Sequence, residues 1–226
     1  MRLLLIRHGQ TPNNVLGALD TGFPGAGLTA LGQAQARAVP NALDGEEIAG
    51  VYASRLVRTQ LTGTPLAQSR GLEVVVQPGL EEISAGHVEM RSDRDAVRTY
   101  VKCISNWLVG DLDLRMPGGT SGHEFFAGYD TAVRSIIQAH GPNDTVALFS
   151  HGAAIRAFAA LASELDPAQA KDLHIMNTGM AVLEGDPSDG WELTTWHHEP
   201  LGGHDLDDES AHDVTGETAD EAIAEA

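Results

Sequence analysis

Two stretches with one outline decide the fold: Thr145-Val146-Ala147-Leu148-Phe149-Ser150-His151-Gly152 and Leu3-Leu4-Leu5-Ile6-Arg7-His8-Gly9. Each is a short apolar run that stops abruptly in a polar residue, a histidine and a glycine. Unbroken runs of this length read as strands buried on both faces, which belong to a mostly parallel sheet. In open sheets of that kind ligands sit outside the carboxyl ends of the strands. The two histidines are thereby placed where they can face each other across one crevice.

Outward from these runs, strands alternate with helical patterns. Further strands are predicted at 50–53 and 73–77. A final pair at 180–184 and 191–196 is joined by the turn Asp186-Pro187-Ser188-Asp189-Gly190. Helices are predicted at 29–43 (capped by Thr29, with Pro40 disturbing its end), 56–66, 94–109, 122–140, 153–163 and 171–176. This alternation predicts an α/β fold, a three-layer αβα sandwich with a mostly parallel twisted sheet.

The chain has 226 residues, 42% of them apolar, which fits one domain over 1–202 followed by a tail. No apolar run approaches the roughly 20 residues that span a bilayer, and the N-terminal run is too short for a signal-peptide core. The expectation is a cytoplasmic protein with no membrane partner; a homo-oligomer is compatible with the sequence. The single cysteine, Cys103, allows neither an intramolecular disulfide nor a cysteine metal cluster. The net charge of −18 argues against nucleic acid. Half of that charge lies in residues 203–226, which hold nine acids and no Lys or Arg. With few apolar residues to offset its ordering entropy, this tail is expected to be solvated and disordered.

Phosphoryl transfer without a metal requires a nucleophile, fixed positive charge for the phosphoryl oxygens and an acid for the leaving group. Neutral imidazole is a competent nucleophile near pH 7. Guanidinium binds phosphate through a planar fork of donors that stays charged. Arg7-His8-Gly9 offers both beside a glycine that lets backbone approach closely.

These residues, Leu3 to Thr11 with Asn14, resemble the opening motif of the histidine phosphatase superfamily, which includes the cofactor-dependent phosphoglycerate mutases. Four further segments match in order over roughly residues 2–185: Ser54-Arg55-Leu56-Val57-Arg58-Thr59-Gln60-Leu61-Thr62, Leu80-Glu81-Glu82-Ile83 with Gly86, Pro117-Gly118-Gly119-Thr120-Ser121, and Phe149-Ser150-His151-Gly152. The resemblance implies a phosphoglycerate mutase-like fold and phosphomonoester hydrolysis of a small phosphorylated metabolite, with no metal and no organic cofactor. By position, His8 would become phosphorylated. Arg7, Arg58 and His151 would hold the phosphoryl oxygens, and Asn14 would add a neutral donor. Glu82 would protonate the leaving oxygen and then help activate water. Gly9, Ser121 and Gly152 would line the substrate.

Some positions carry a second reading. Arg55 and Arg58 are helical neighbours, either of which suits a solvated face. Glu81 competes with Glu82, Asn14 suits a turn after Pro12, and Asn177 either ends the 171–176 helix or approaches the site; the former is favoured. His197-His198 reads as surface rather than as a metal site. The sequence departs from the family in the run Ser84-Ala85-Gly86-His87-Val88-Glu89-Met90, which lacks the usual Trp, and at Gln10 and Thr120, where Glu is common. The short segment between Glu82 and Pro117 favours a phosphatase over a mutase. The two rival readings are a bisphosphoglycerate-dependent mutase and a non-catalytic phosphate-binding protein on the same fold.

Overall fold

The computed structural model describes residues 1–208 and 211–225. Its centre is a six-stranded sheet in the order β3-β2-β4-β1-β5-β6. Strands β1 (Arg2–Arg7), β2 (Ile48–Ala53), β3 (Val74–Val76) and β4 (Thr145–Ser150) run parallel. Strands β5 (Met180–Asp186) and β6 (Gly190–His197) add an antiparallel hairpin on the β1 side. β1 and β4 lie side by side in the middle, buried from their second residue onward. That double burial is why both read as unbroken apolar runs.

Helices cover both faces. Leu4 and Ile6 of β1 pack with Val39 of α2 (Ala30–Ala42) and Leu66 of α3 (Val57–Ser69). Leu3 and Leu5 point the other way, into a core with Tyr129 and Val133 of α5 (Gly122–Ile137) and Phe158 of α6 (Gly152–Ala162). The two-residue period of a strand thus divides β1 between the two helical layers. A third cluster packs Val97, Tyr100 and Trp107 of α4 (Arg94–Leu108) against Ala153 and Ala157 of α6. The three-layer α/β architecture expected from the sequence is the one observed. No helix among the described residues is long and apolar enough to cross a membrane.

Two regions differ from expectation. The helix expected at 171–176 lies earlier, as α7 (Pro167–Asp172), because Asp166 caps it at Ala168 N and Pro167 fills its first turn. Residues beyond it bond elsewhere: Ile175 N donates to Gly216 O (2.8 Å) and Met176 N to His198 O (2.8 Å). The second region is the acidic segment. Instead of projecting into solvent, its described residues fold back through a 3₁₀ turn (His204–Leu206) to a last helix, α8 (Ala219–Glu225). Val214 and Ala222 are buried in the α4 cluster. Ala219 and Ile223 pack against the same cluster, so the segment's few apolar residues are gathered on one face, which a count of them misses.

Candidate active site

The sheet register builds the site. Arg7 pairs with Ser150 and Ala53 with Phe149, so the residues that follow these strands, His8, His151 and Ser54, emerge at one edge. His8 N donates to Ser150 O (3.0 Å) and Ser54 N to Phe149 O (3.2 Å), which extends the ladder one step beyond the strands. The two imidazoles are buried, with ring centroids 5.2 Å apart. The facing pair anticipated from two strand ends is therefore present.

Each ring is held in one orientation. His8 Nδ1 lies 2.8 Å from Gly9 O, and a carbonyl only accepts, so Nδ1 carries the proton and Nε2 keeps a lone pair. Gly9 is fixed in turn, its N–H donating to Thr62 Oγ1 (2.9 Å). A side chain there would strike Gly32 O at 2.6 Å, so the close approach of these two backbones requires glycine. His151 Nε2 lies 2.8 Å from Ser54 Oγ. Its Nδ1 is buried with no partner. Burial is the main cause that lowers the pKa of both rings well below the usual imidazole value, and the charges of Arg58 and Arg7 add to it. Both shifts favour the neutral ring at pH 7.

Positive charge surrounds them. Arg7 and Arg58 are buried, and the Nε of each lacks a partner. Arg58 Nη2 donates to Asp20 O (2.7 Å), and Nη1 reaches Asp20 Oδ2 at 3.5 Å. Arg7 donates from Nη1 to Ile175 O (2.8 Å) and from Nη2 to Asp213 Oδ1 (2.6 Å), and Nη1 also lies in ion-pair contact with Asp213 Oδ2. Asn14 sits in α1 (Pro12–Val15), where its Oδ1 accepts from Thr11 N; its Nδ2 donates to Asp213 Oδ1 (2.9 Å). Asn14 is thus both a capping residue and a donor beside the arginines.

Glu82 lies at the start of α6, accepting from Ile83 N and Ala154 N (2.8 Å each) and from Ala153 N (3.2 Å). Burial raises its pKa, against the opposing pull of the Ile83 N–H and of Arg58 and Arg7. A carboxyl whose proton is retained beyond the usual range is suited to a general acid. Glu81 instead accepts from Arg55 Nε (2.7 Å) and from Gly79 N (2.7 Å). The Arg55 side chain is 55% exposed and that of Arg58 3%. One packing arrangement thus separates both ambiguous pairs, with Arg58 and Glu82 inside and Arg55 and Glu81 outside.

Other residues are placed as follows. Gly152 lies against Arg7 and the backbone of Thr215; an added Cβ would meet Thr215 O at 2.4 Å and Arg7 Nε at 2.9 Å. Ser121, expected to touch substrate, is the N-cap of α5, where its Oγ accepts from Glu124 N. Asn177 does not end a helix. It is buried and donates from Nδ2 to His8 O (3.1 Å), which supports the turn after β1. His197 closes β6, and His198 packs its ring on His174. Cys103 is buried in α4 with its thiol pKa raised to about 11, chiefly by burial. Among the described residues there is no group of three or more His, Cys, Asp or Glu that could hold a metal ion. Sequence reading passed over Ser54, Asp20, Thr62 and Asp213. Ser54 and Thr62 fall inside a quoted motif, whereas nothing near Asp20 or Asp213 signalled a partner in the site.

Comparison with known proteins agrees with this arrangement. The chain is 36% identical over 212 residues to a PE-PGRS family protein of Mycobacterium tuberculosis, covering 87% of this chain and 36% of that protein. It therefore spans about a third of that relative's length. A probable phosphoglycerate mutase of Yersinia enterocolitica is 27% identical over 202 residues, 89% of this chain and 93% of its own. The structure of a mycobacterial glucosyl-3-phosphoglycerate phosphatase in complex with VO3 superposes with a TM-score of 0.73 at 25% identity, covering 88% of this chain and 99% of that one. Residues 3–199 match the histidine phosphatase superfamily, branch 1. A match over that much of the chain, on a fold that sets two histidines at adjacent strand ends, shows that the chain belongs to the histidine phosphatase superfamily.

Proposed function

We propose that this histidine phosphatase hydrolyses phosphomonoesters of small phosphorylated metabolites through a phosphohistidine on His8, without a metal ion, in the cytoplasm. The observation that carries the reading is the set of oriented donors around one lone pair. His8 Nε2 is unprotonated, and the buried Arg7 Nε, Arg58 Nε and His151 Nδ1 have no partner. Burying donors unpaired is costly unless an acceptor arrives, and a phosphoryl group brings several acceptor oxygens.

In the proposed reaction His8 Nε2 attacks phosphorus while the bond to the leaving oxygen breaks. Arg7, Arg58, Asn14 and the Nδ1–H of His151 stabilise charge on the non-bridging oxygens. Glu82 gives its proton to the leaving oxygen, and its carboxylate then takes a proton from the water that cleaves the phosphohistidine. The reading is supported by the similarity to a glucosyl-3-phosphoglycerate phosphatase, an enzyme named for a phosphorylated small molecule. A mutase reading is favoured only by the likeness to a probable phosphoglycerate mutase. In that case the phosphohistidine would return its group to a second hydroxyl rather than to water.

The test is phosphate release from an aryl phosphate in EDTA, comparing wild type with His8→Ala. Activity that survives EDTA and disappears in the variant is expected. Activity retained by His8→Ala would remove the proposed nucleophile. Transfer to a hydroxyl acceptor in place of release would favour the mutase.

A further inference from the structure

The C-terminal acidic segment reaches the same arginine that the proposed reaction needs. Asp213 Oδ1 accepts from Arg7 Nη2 (2.6 Å), and its Oδ2 lies 2.5 Å from Arg7 Nη1. Oδ1 also accepts from Asn14 Nδ2 (2.9 Å), and Arg7 Nη2 donates further to Thr215 Oγ1 (2.9 Å). Two carboxylate oxygens on the fork of a buried guanidinium, with a neutral amide donating to one of them, reproduce the way two oxygens of a phosphoryl group would be held.

The segment is anchored on both sides of this contact. Before it, Gln10 Nε2 donates to Asp208 Oδ2 (2.9 Å) and Gln35 Nε2 to Leu206 O (2.8 Å). After it, Arg156 Nη1 donates to Glu217 O (2.5 Å), Ile175 N donates to Gly216 O, and Ala222 of α8 is buried beside α4. Gly216 lies so close to Arg7 that a Cβ there would sit 2.0 Å from Nη1. The cavity left beside His8, walled by Asn14, Asp20, Arg58 and Thr215 among others, measures about 10 Å³. That is room for about one water and not for a phosphoryl group.

We propose that residues 211–218 are an intramolecular competitor: the Asp213 carboxylate occupies the phosphate subsite on Arg7 and Asn14, and must leave before a phosphorylated substrate reaches His8. The proposal rests on the reading of Arg7 and Asn14 as phosphate ligands. The segment holds the site closed at the cost of apparent affinity, since a ligand binds only the open fraction. Its departure frees the Arg7 Nη2 and Asn14 Nδ2 donors together.

The test uses the full-length chain and reads phosphate binding and turnover separately. Calorimetry with inorganic phosphate is compared for wild type, Asp213→Ala and Asp213→Asn, beside KM and kcat for an aryl phosphate. Asp213→Ala is expected to tighten phosphate binding and lower KM together, by about tenfold or more, with kcat unchanged. Asp213→Asn, which keeps the shape but not the charge, is expected to fall between. Ala222→Glu, which loosens α8 without touching the site, should shift KM the same way. Asp220→Asn, on the exposed face, should change nothing. If Asp213→Ala unfolds alone and refolds with phosphate, the carboxylate has been replaced in kind, which supports the proposal. Weaker or unchanged phosphate binding in a folded Asp213→Ala overturns it, because the segment would then complete the pocket or be irrelevant to it. An active wild type with that outcome sinks the competitor alone. Tighter phosphate binding in Asp213→Ala together with hydrolysis by His8→Ala sinks the phosphohistidine alone.

Discussion

Arg55 with Glu81 and Arg58 with Glu82 are two arginine–glutamate couples drawn from the same two short segments, and the structure gives them opposite surroundings. The outer couple meets directly, Arg55 Nε donating to Glu81 at 2.7 Å with the arginine in solvent. The inner two do not bond to each other. Arg58 is held by Asp20, and Glu82 by the first amides of α6. Solvent screens the outer pair, so its charges do little beyond their own contact. Burial makes the inner groups sense each other and both histidines: Arg58 lowers the pKa of His8 and opposes the rise at Glu82. The same residue types become a surface ornament or a reactive group according to which helix face and which strand end they occupy.

The sharpest way to break this contrast is at the acids. Glu82→Gln keeps an oxygen for Ile83 N and Ala154 N but has no proton to give, and is expected to lose about 10²- to 10⁴-fold in kcat/KM on an alkyl phosphate. Glu81→Gln should stay close to wild type. The loss should be smaller on an aryl phosphate whose phenolate leaves readily unaided. The pH profile sharpens the point. At their ordinary values, 6.5 and 4.5, imidazole is neutral only above the range in which the carboxyl is protonated. Burial moves His8 down and Glu82 up, which draws together the ranges of the neutral nucleophile and the protonated acid. The acid limb of kcat/KM should therefore lie below 6.5 and the alkaline limb above 4.5, and Glu82→Gln should abolish the alkaline limb only. A profile in which both variants titrate like wild type would mean the proton comes from elsewhere.

Next in size are the arginines. Arg58→Ala is expected to cost about 10²- to 10³-fold, the usual consequence of removing one charged donor from a developing oxyanion. Arg55→Ala should cost almost nothing. Equal effects would show that the exposed arginine reaches the substrate, and the inner–outer division would fail.

A smaller effect is expected at Ser54, which lies against the histidine on the neighbouring strand. Its Oγ accepts from Leu56 N (3.2 Å), lies 3.0 Å from Thr59 Oγ1 and reaches His151 Nε2 at 2.8 Å, where it can donate its proton. That bond would place the ring proton on Nδ1, toward the phosphoryl site. Losing a hydrogen bond worth ~1 kcal/mol corresponds to roughly a fivefold fall in kcat/KM for Ser54→Ala. Ser54→Thr should restore part of it if orientation is the cause. A shift in the His151 ring-nitrogen NMR signals would separate a tautomer change from general loosening.

How much of this was legible in the sequence follows the same division. The sheet could be read because β1 and β4 are buried on both faces, and burial leaves an unbroken apolar run. His8 and His151 could be read because each directly follows such a run. Arg58 over Arg55 and Glu82 over Glu81 could be favoured only through resemblance, since the choice depends on how α3 and the loop before Gly86 pack. Ser121 was ambiguous because a serine after a glycine-rich loop suits a ligand contact and a helix cap alike; the cap is what is observed, and Glu124 three residues on completes a capping box. Asp213 was invisible because its partner, Arg7, lies at the other end of the chain. Composition describes a segment's average, and an ion pair depends on one residue meeting one other.

The smallest prediction concerns the outer couple itself. A double-mutant cycle on Arg55→Ala and Glu81→Ala, read by thermal or denaturant unfolding, should give a coupling of about 0.2–1 kcal/mol, the range of exposed pairs. Added salt should shrink it further, since both charges are accessible to counterions. Glu81 also accepts from Gly79 N, so its single variant should cost more than that of Arg55. If the coupling instead exceeded about 2 kcal/mol and resisted salt, the pair would be acting as a desolvated clamp between the start of α3 and the loop carrying Glu82. The outer couple would then be part of what positions the inner one, and the two could no longer be treated as independent.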